Sequence, residues 1–226
     1  MSETESETEN KPEPSSIVKF LRSDTILGLL IAAFSVLIAY VNYQTTLIEE
    51  KSSEIELSAA RILSSANREY LAASQQIASD MRAYDDYFAA TDEELADNYY
   101  SSLSEALIEN MESEDPAREF LFDDIYLEEM YQVSESCFVE ADNLFILSND
   151  VGDIADKHQL VMFTFAIGLA LTAWASLLPE ESSIRLVFVI FSLIVLVLGL
   201  ILYLPLATSA TGFPADTAAI GLTCLK

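Results

Sequence analysis

Residues 25–43 read TILGLLIAAFSVLIAYVNY, and residues 44–90 follow them without a glycine or a proline. The first stretch carries no charge. At about 1.5 Å per residue it matches the ~30 Å hydrocarbon layer of a bilayer. Lys19 and Arg22 precede it, and Tyr40 and Tyr43 stand where an interfacial aromatic belt would lie. A cleaved signal peptide would have a shorter apolar run followed by a small-residue cleavage site. An uncleaved anchor is therefore expected, with transmembrane helix 1 at 17–43.

Two further apolar stretches lie downstream. Residues 159–178 (QLVMFTFAIGLALTAWASLL) predict transmembrane helix 2, and residues 185–207 predict transmembrane helix 3. The link from Pro179 to Arg185 is so short that the two spans must form an antiparallel hairpin. None of the three uncharged runs contains Asp, Glu, Lys, Arg or His, which disfavours an ion or proton pathway. Small residues at packing distance, Gly28 with Ala32, Ala166 with Ala170 and Gly168 with Thr172, are expected to let the spans approach one another.

Between the first and second spans lies a segment of opposite character. Residues 44–158 hold 28 acidic and 6 basic residues, a net charge of −22 within a chain of −26. Such a field repels nucleic acid and anionic headgroups. The acid-rich, lysine-poor composition is similar to that of salt-loving archaea, where an acidic surface suits the whole cell and carries no particular function.

This insert reads as helical throughout. A stripe runs Ile55, Ala59, Ile62, Ala66, Tyr70, Ala73, Ile77, Met81, Tyr84, Phe88, near the 11-residue period of a straight or slightly right-handed helix. The first span is expected to continue unbroken into it. A second helix is expected to start at Thr91, where Thr91 and Glu94 fit a capping box. A third is expected at Asp115-Pro116, with the stripe Phe122, Tyr126, Met130, Val133, Cys137, Ala141, Leu144. A kink is expected around Asn149–Gly152. The outgoing and returning helices have matched lengths, which fits an antiparallel stalk of coiled-coil type. A compact bundle broken near Tyr84–Asp86 is the alternative. The fold class is thus all-α: three transmembrane helices plus an acidic helical stalk or bundle at 44–158. Residues 1–16 are expected to be a disordered acidic tail, and residues 208–226 a flexible one.

No catalytic motif is present, and the expected role is not enzymatic: no G-x-S-x-G, no phosphate-cradling glycine loop, no H-E-x-x-H. His158 is the only histidine, beside Lys157, and is expected at the membrane interface. Two-metal carboxylate bundles need Glu-x-x-His pairs, which are absent. The acidic clusters Asp85-Asp86, Asp92-Glu93-Glu94, Asp123-Asp124 and Glu128-Glu129 are read as solvated faces. Asp124 and Glu128 share one face, where a hard cation would bind loosely at best. No catalytic, cofactor-binding or metal residue is assigned and no cofactor is expected. Cys137 and Cys224 have no metal spacing. They could form one disulfide, which their spacing does not decide. Tyr87, Tyr99, Tyr100 and Tyr131 exceed what the stripes can bury and mark a contact surface.

The layout of residues 25–43, 44–158 and 159–206 resembles an uncharacterised prokaryotic membrane family in which one span, a long polar helical region and a two-span hairpin follow in that order. The Trp- and Lys-containing helix of that family is replaced here by ANREYLAASQQIASDM. The insert also resembles the helical sensor domains of chemoreceptors, without their cytoplasmic signalling module. The expected partners are the lipid bilayer and either a second copy or another membrane protein, with no nucleic acid. A structural or oligomerising module is the expected role; a sensor-like ligand- or cation-binding domain acting through a partner is the alternative. Lys11, Lys19, Arg22 and Arg185 place the N-terminus in the cytoplasm and the acidic domain and C-terminus outside.

Overall fold

A computed structural model describes residues 20–113, 120–209 and 224. Its helices are α1 (Asp24–Ala89), α2 (Glu93–Tyr100), α3 (Glu105–Glu112), α4 (Asp124–Ser176) and α5 (Ser183–Ser209), with no strand among the described residues. The expected tail at 1–16 and all of the tail at 208–226 except Cys224 and the helical backbone of 208–209 lie outside them. The chain forms two compact units. One comprises Met1–Glu49 and Gly152–Phe213, the other Glu50–Val151 and Pro214–Lys226.

In the first unit, α1, α4 and α5 each supply a helix long and apolar enough to cross a membrane. Leu29, Val36, Phe163, Trp174, Phe191 and Ile201 are among the large apolar side chains exposed on it. Water would penalise so much bare hydrocarbon, whereas lipid does not. Inside, rings fill the space that glycines leave. Phe34 and Phe165 meet at 6.3 Å between centroids. Gly168 lies against the Phe34 ring and Gly199 against the Phe165 ring, each so close that an added Cβ would overlap it. The Thr172 hydroxyl donates to Gly168 O at 2.8 Å and bonds Ser192 across α4 and α5. Of the small-residue pairs, only Gly168 and Thr172 are buried. Gly28, Ala32, Ala166 and Ala170 face outward. The link between α4 and α5 is closed by Arg185, which donates to Leu178 O at 2.9 Å and pairs with Asp24.

The second unit is an antiparallel hairpin of α1 and α4. Ser52 faces Ser148, Ser74 bonds Tyr131, and Asp80 bonds Tyr126, so α4 numbers fall as α1 numbers rise. The seam is lined by small residues, among them Ala59, Ala66, Ala73, Ser134 and Ala141. Backbones therefore approach closely enough for side chains to reach across. Ser52 Oγ donates to Ser148 O at 2.9 Å and Ser148 Oγ donates to Ser52 O at 3.0 Å.

Several expectations are corrected. Buried positions on α4 run 134, 137, 141, 144, 148, 151, 155, 158, which is the 3.5-residue period of a coiled-coil seam and not the 11-residue repeat. Val133 is exposed and Ser134 takes its place. On α1, Tyr70, Met81 and Phe88 are exposed while Asp80 and Ala83 are buried. The segment after residue 90 is two helices, because α2 ends at Tyr100 and a turn precedes α3. Its cap is Asp92, which accepts from Glu94 N at 3.4 Å, and not Thr91. The third helix begins at Asp124, capped by Asp123 accepting from Tyr126 N at 2.9 Å. Pro116 lies outside the described residues, and Phe122 precedes the helix. The helix α4 is continuous across Asn149–Gly152, where a kink is expected.

Candidate functional site

Asp80 is the most constrained acid in the described chain. It lies three residues after Ile77 and three before Ala83, on the buried face of α1, with no side-chain exposure. A bare carboxylate there would cost far more than the seam returns, so donors must surround it. Oδ1 accepts from Ser104 N at 2.9 Å and from Gln76 Nε2 at 3.0 Å. Oδ2 accepts from Tyr126 Oη at 2.7 Å and from the Ser104 hydroxyl at 2.5 Å. Ser104 is also the N-cap of α3, accepting from Leu107 N at 3.2 Å. One carboxylate thus joins α1, the turn before α3 and the first turn of α4. Burial pushes the Tyr126 phenol well above its ordinary range, and its hydrogen bond to Asp80 pushes the same way. With four donors seated on its two oxygens, Asp80 ties elements together and has no free face for a substrate.

The clusters singled out in the sequence lie elsewhere. Asp85, Asp86, Asp92, Glu93, Glu94, Asp124, Glu128 and Glu129 are exposed. Among the described residues no three of His, Cys, Asp and Glu come together in a way that could hold a metal ion. Along α3, Glu105, Ile108, Glu109, Glu112 and Ser113 line a cleft of about 420 Å³. There Tyr100 donates to Glu112 at 2.9 Å, and that bond to a carboxylate raises the Tyr100 pKa. The tyrosines expected to mark a contact surface, Tyr87, Tyr99, Tyr100 and Tyr131, are half-buried. Tyr131 stacks on Tyr70 at 4.8 Å, and Tyr87 packs against Phe88 and Tyr100. Phe88 and Phe120 stay exposed.

The two cysteines do meet. Cys137, buried on the α4 seam, is bonded to Cys224 with Cα atoms 5.8 Å apart. Ser65 Oγ donates to Cys224 O at 2.6 Å, so the tail is docked at this point by a covalent bond and a hydrogen bond.

His158, expected at the interface, is fully buried on the α4 seam. Its Nδ1 lies 2.9 Å from Ile154 O, and its ring meets Tyr203 edge-on at 6.0 Å. Nδ1 must carry the proton to bond that carbonyl, which leaves Nε2 without a hydrogen-bond partner among the described residues. A single buried imidazole in a packed seam offers orientation to a neighbour but no relay.

No family model, no curated protein and no solved structure matches this chain.

Proposed function

We propose that this chain is a multi-pass membrane protein whose acidic hairpin is a non-catalytic interaction module, displayed outside the cytoplasm together with the C-terminal tail. The Cys137–Cys224 disulfide carries the orientation, because such bonds persist in oxidising compartments and are rare in the cytosol. Three spans put both cysteines on one side and the N-terminus on the other. Lys11, Lys19 and Arg22 then lie on the cytoplasmic side, as the positive-inside rule requires. Arg185 adds little to that rule, since it is engaged with Asp24 and Leu178 O. The interaction reading is supported by how the polar groups are spent. The buried carboxylate is saturated by donors, while large apolar side chains such as Leu57, Leu71, Val139 and Ile146 stay exposed along the hairpin.

Intact cells treated with a membrane-impermeant maleimide test the orientation. Labelling is expected only after an impermeant reductant opens the disulfide, with Cys224 as the main acceptor. Labelling that requires permeabilisation would reverse the orientation. The module reading is tested by melting the full chain in detergent with cations and small solutes. No dose-dependent rise in Tm is expected; a rise would replace this reading with that of a ligand-binding sensor, since a ligand binding only the folded state stabilises it.

A further inference from the structure

The hairpin has a second pair of stripes, on the faces turned away from its own seam. On α1, steps of three and four residues from 57 to 82 pass through Leu57, Arg61, Arg68, Leu71 and Arg82, all exposed. The three arginines are the only basic residues of α1 beyond Lys51. On α4, the same steps from 125 to 146 pass through Ile125, Glu128, Glu135, Val139, Asp142 and Ile146, also all exposed. Solvated faces of an acidic domain need no such order. Here every arginine of one helix falls on one seven-residue repeat, and a run of acids falls on the matching repeat of the other.

The heights also agree. The intramolecular pairs Ser52 with Ser148, Ser74 with Tyr131 and Asp80 with Tyr126 set which residues are level in the hairpin. By that scale, and to within about two residues (roughly 3 Å at helical rise), Leu57 is level with Ile146, Arg61 with Asp142, and Arg68 with Glu135. Over this stretch, residues 57–68 against 135–146, apolar meets apolar and Arg meets acid. Within one chain these stripes face apart and never touch. Arg68 meanwhile donates to the Ser65 hydroxyl at 3.3 Å and to the adjacent Glu69 at 3.4 Å, the latter an exposed pair of small worth.

We infer that the occupant of each stripe is a second copy of this chain: the outward face of α1 packs against the outward face of α4 of a neighbour standing alongside, antiparallel and in level register. This deepens the interaction-module reading and rests on it. The two stripes differ, so the contact is head-to-tail and propagates into a row or closes into a ring. The charges choose the partner face and register, and the interleaved apolar residues supply burial. An α1–α1 contact is disfavoured, because it would bring arginines to arginines.

The test uses the full chain in lipid vesicles, with copies carrying two different fluorophores and energy transfer as the readout. One variant reverses the basic stripe (R61E/R68E), the other the acidic stripe (E135R/D142R). All these positions are exposed, and unchanged thermal melts are expected to confirm that both variants fold. Wild type is expected to associate, with weaker transfer as salt rises. Each variant alone is expected to associate roughly tenfold or more weakly, since like charges then oppose each other. Mixing the two variants restores an Arg–acid match at every contact and is expected to recover transfer. The charge-neutral R61Q/R68Q, which needs no folding compensation, is expected to fall between wild type and reversal. Wild-type association that survives both reversals, or no recovery on mixing, overturns this pairing and leaves the module reading standing. A wild-type chain that stays monomeric overturns the pairing and removes self-association from that reading as well.

Discussion

The apolar three-helix unit and the acidic hairpin share two helices, α1 and α4, yet they agree inside and differ outside. In both, the buried residues of α4 step by three and four: 137, 141, 144, 148 and 151 in the hairpin, 158, 161, 165, 168, 172 and 175 in the apolar unit. Seam geometry is a property of helix on helix and does not change with solvent. The outward residues do change, from Phe163 and Trp174 in one unit to Glu135 and Asp142 in the other. The means of drawing helices together changes too. The apolar unit sinks aromatic rings onto Gly168 and Gly199, whereas the hairpin uses alanines, serine clasps and one saturated carboxylate. Where water competes for every polar group, a buried acid must bring all its donors along.

The strongest way to break this contrast is at Asp80. D80A leaves Ser104 N, the Ser104 hydroxyl, the Tyr126 hydroxyl and Gln76 Nε2 without their acceptor. A loss of about 3–5 kcal/mol is expected for the hairpin, from several buried donors left unpaired. D80N keeps one acceptor oxygen and should lose about half as much. Amide exchange by mass spectrometry checks this: residues 105–112 and the start of α4 should exchange faster in D80A, with α5 unchanged. Equal protection of 105–112 in wild type and D80A would show that the carboxylate ties nothing.

A change in the apolar unit should act by bulk instead. G168A places a methyl group inside the Phe34 ring, which is itself fully buried. Overpacking of this kind costs about 1–3 kcal/mol. F34L shortens the opposing side chain, so F34L/G168A should recover part of the loss. Unfolding in mixed micelles reads both, and non-additivity of the pair is the outcome that matters. Simple addition of the two losses would mean that ring and glycine do not share one site.

The serine clasp sharpens the comparison at smaller scale. S52A and S148A each remove one hydroxyl donor but leave both carbonyls in their helices. About 1 kcal/mol or less is expected for each. A double-mutant cycle should show coupling, since the two hydroxyls also lie 3.2 Å apart.

The helical class, the three long apolar segments and the unbroken run of α1 were all legible from residue spacing. The seam of the hairpin was legible only in part, and the reason lies in two choices. After Ile77 both Asp80 and Met81 satisfy a helical step, and hydrophobicity selects Met81. After Met130 both Val133 and Ser134 do, and it selects Val133. The protein takes the polar residue each time. Asp80 is compatible with burial because Ser104 and Tyr126, 24 and 46 residues away, bring donors to it, and no local pattern announces that meeting. One local signal did exist. Arg61, Arg68 and Arg82 repeat at multiples of seven and mark the outward face, which places residues 80 and 73 inward. The disulfide likewise depends on a chain return from Cys224 to Cys137 that spacing does not encode.

The finest probe of the Asp80 knot is pH. The Tyr126 phenol ionises above its ordinary value in the folded protein, because burial and the bond to Asp80 both disfavour the phenolate. The unfolded chain should lose that proton near pH 10, the usual tyrosine value. Above that pH the unfolded state binds fewer protons than the folded state, so stability falls as pH rises. Below it the contribution is fully present and flat. Y126F removes the titrating group along with one donor to Asp80, costing about 1 kcal/mol at neutral pH. The gap in Tm between wild type and Y126F should therefore narrow as pH passes 10. Y100F is the control, since Tyr100 is also raised, by Glu112, but at the surface where water screens the interaction. If the Y126F gap stays constant to the highest pH at which the hairpin remains folded, Tyr126 is not the proton donor that closes the knot, and Ser104 and Gln76 hold Asp80 without it.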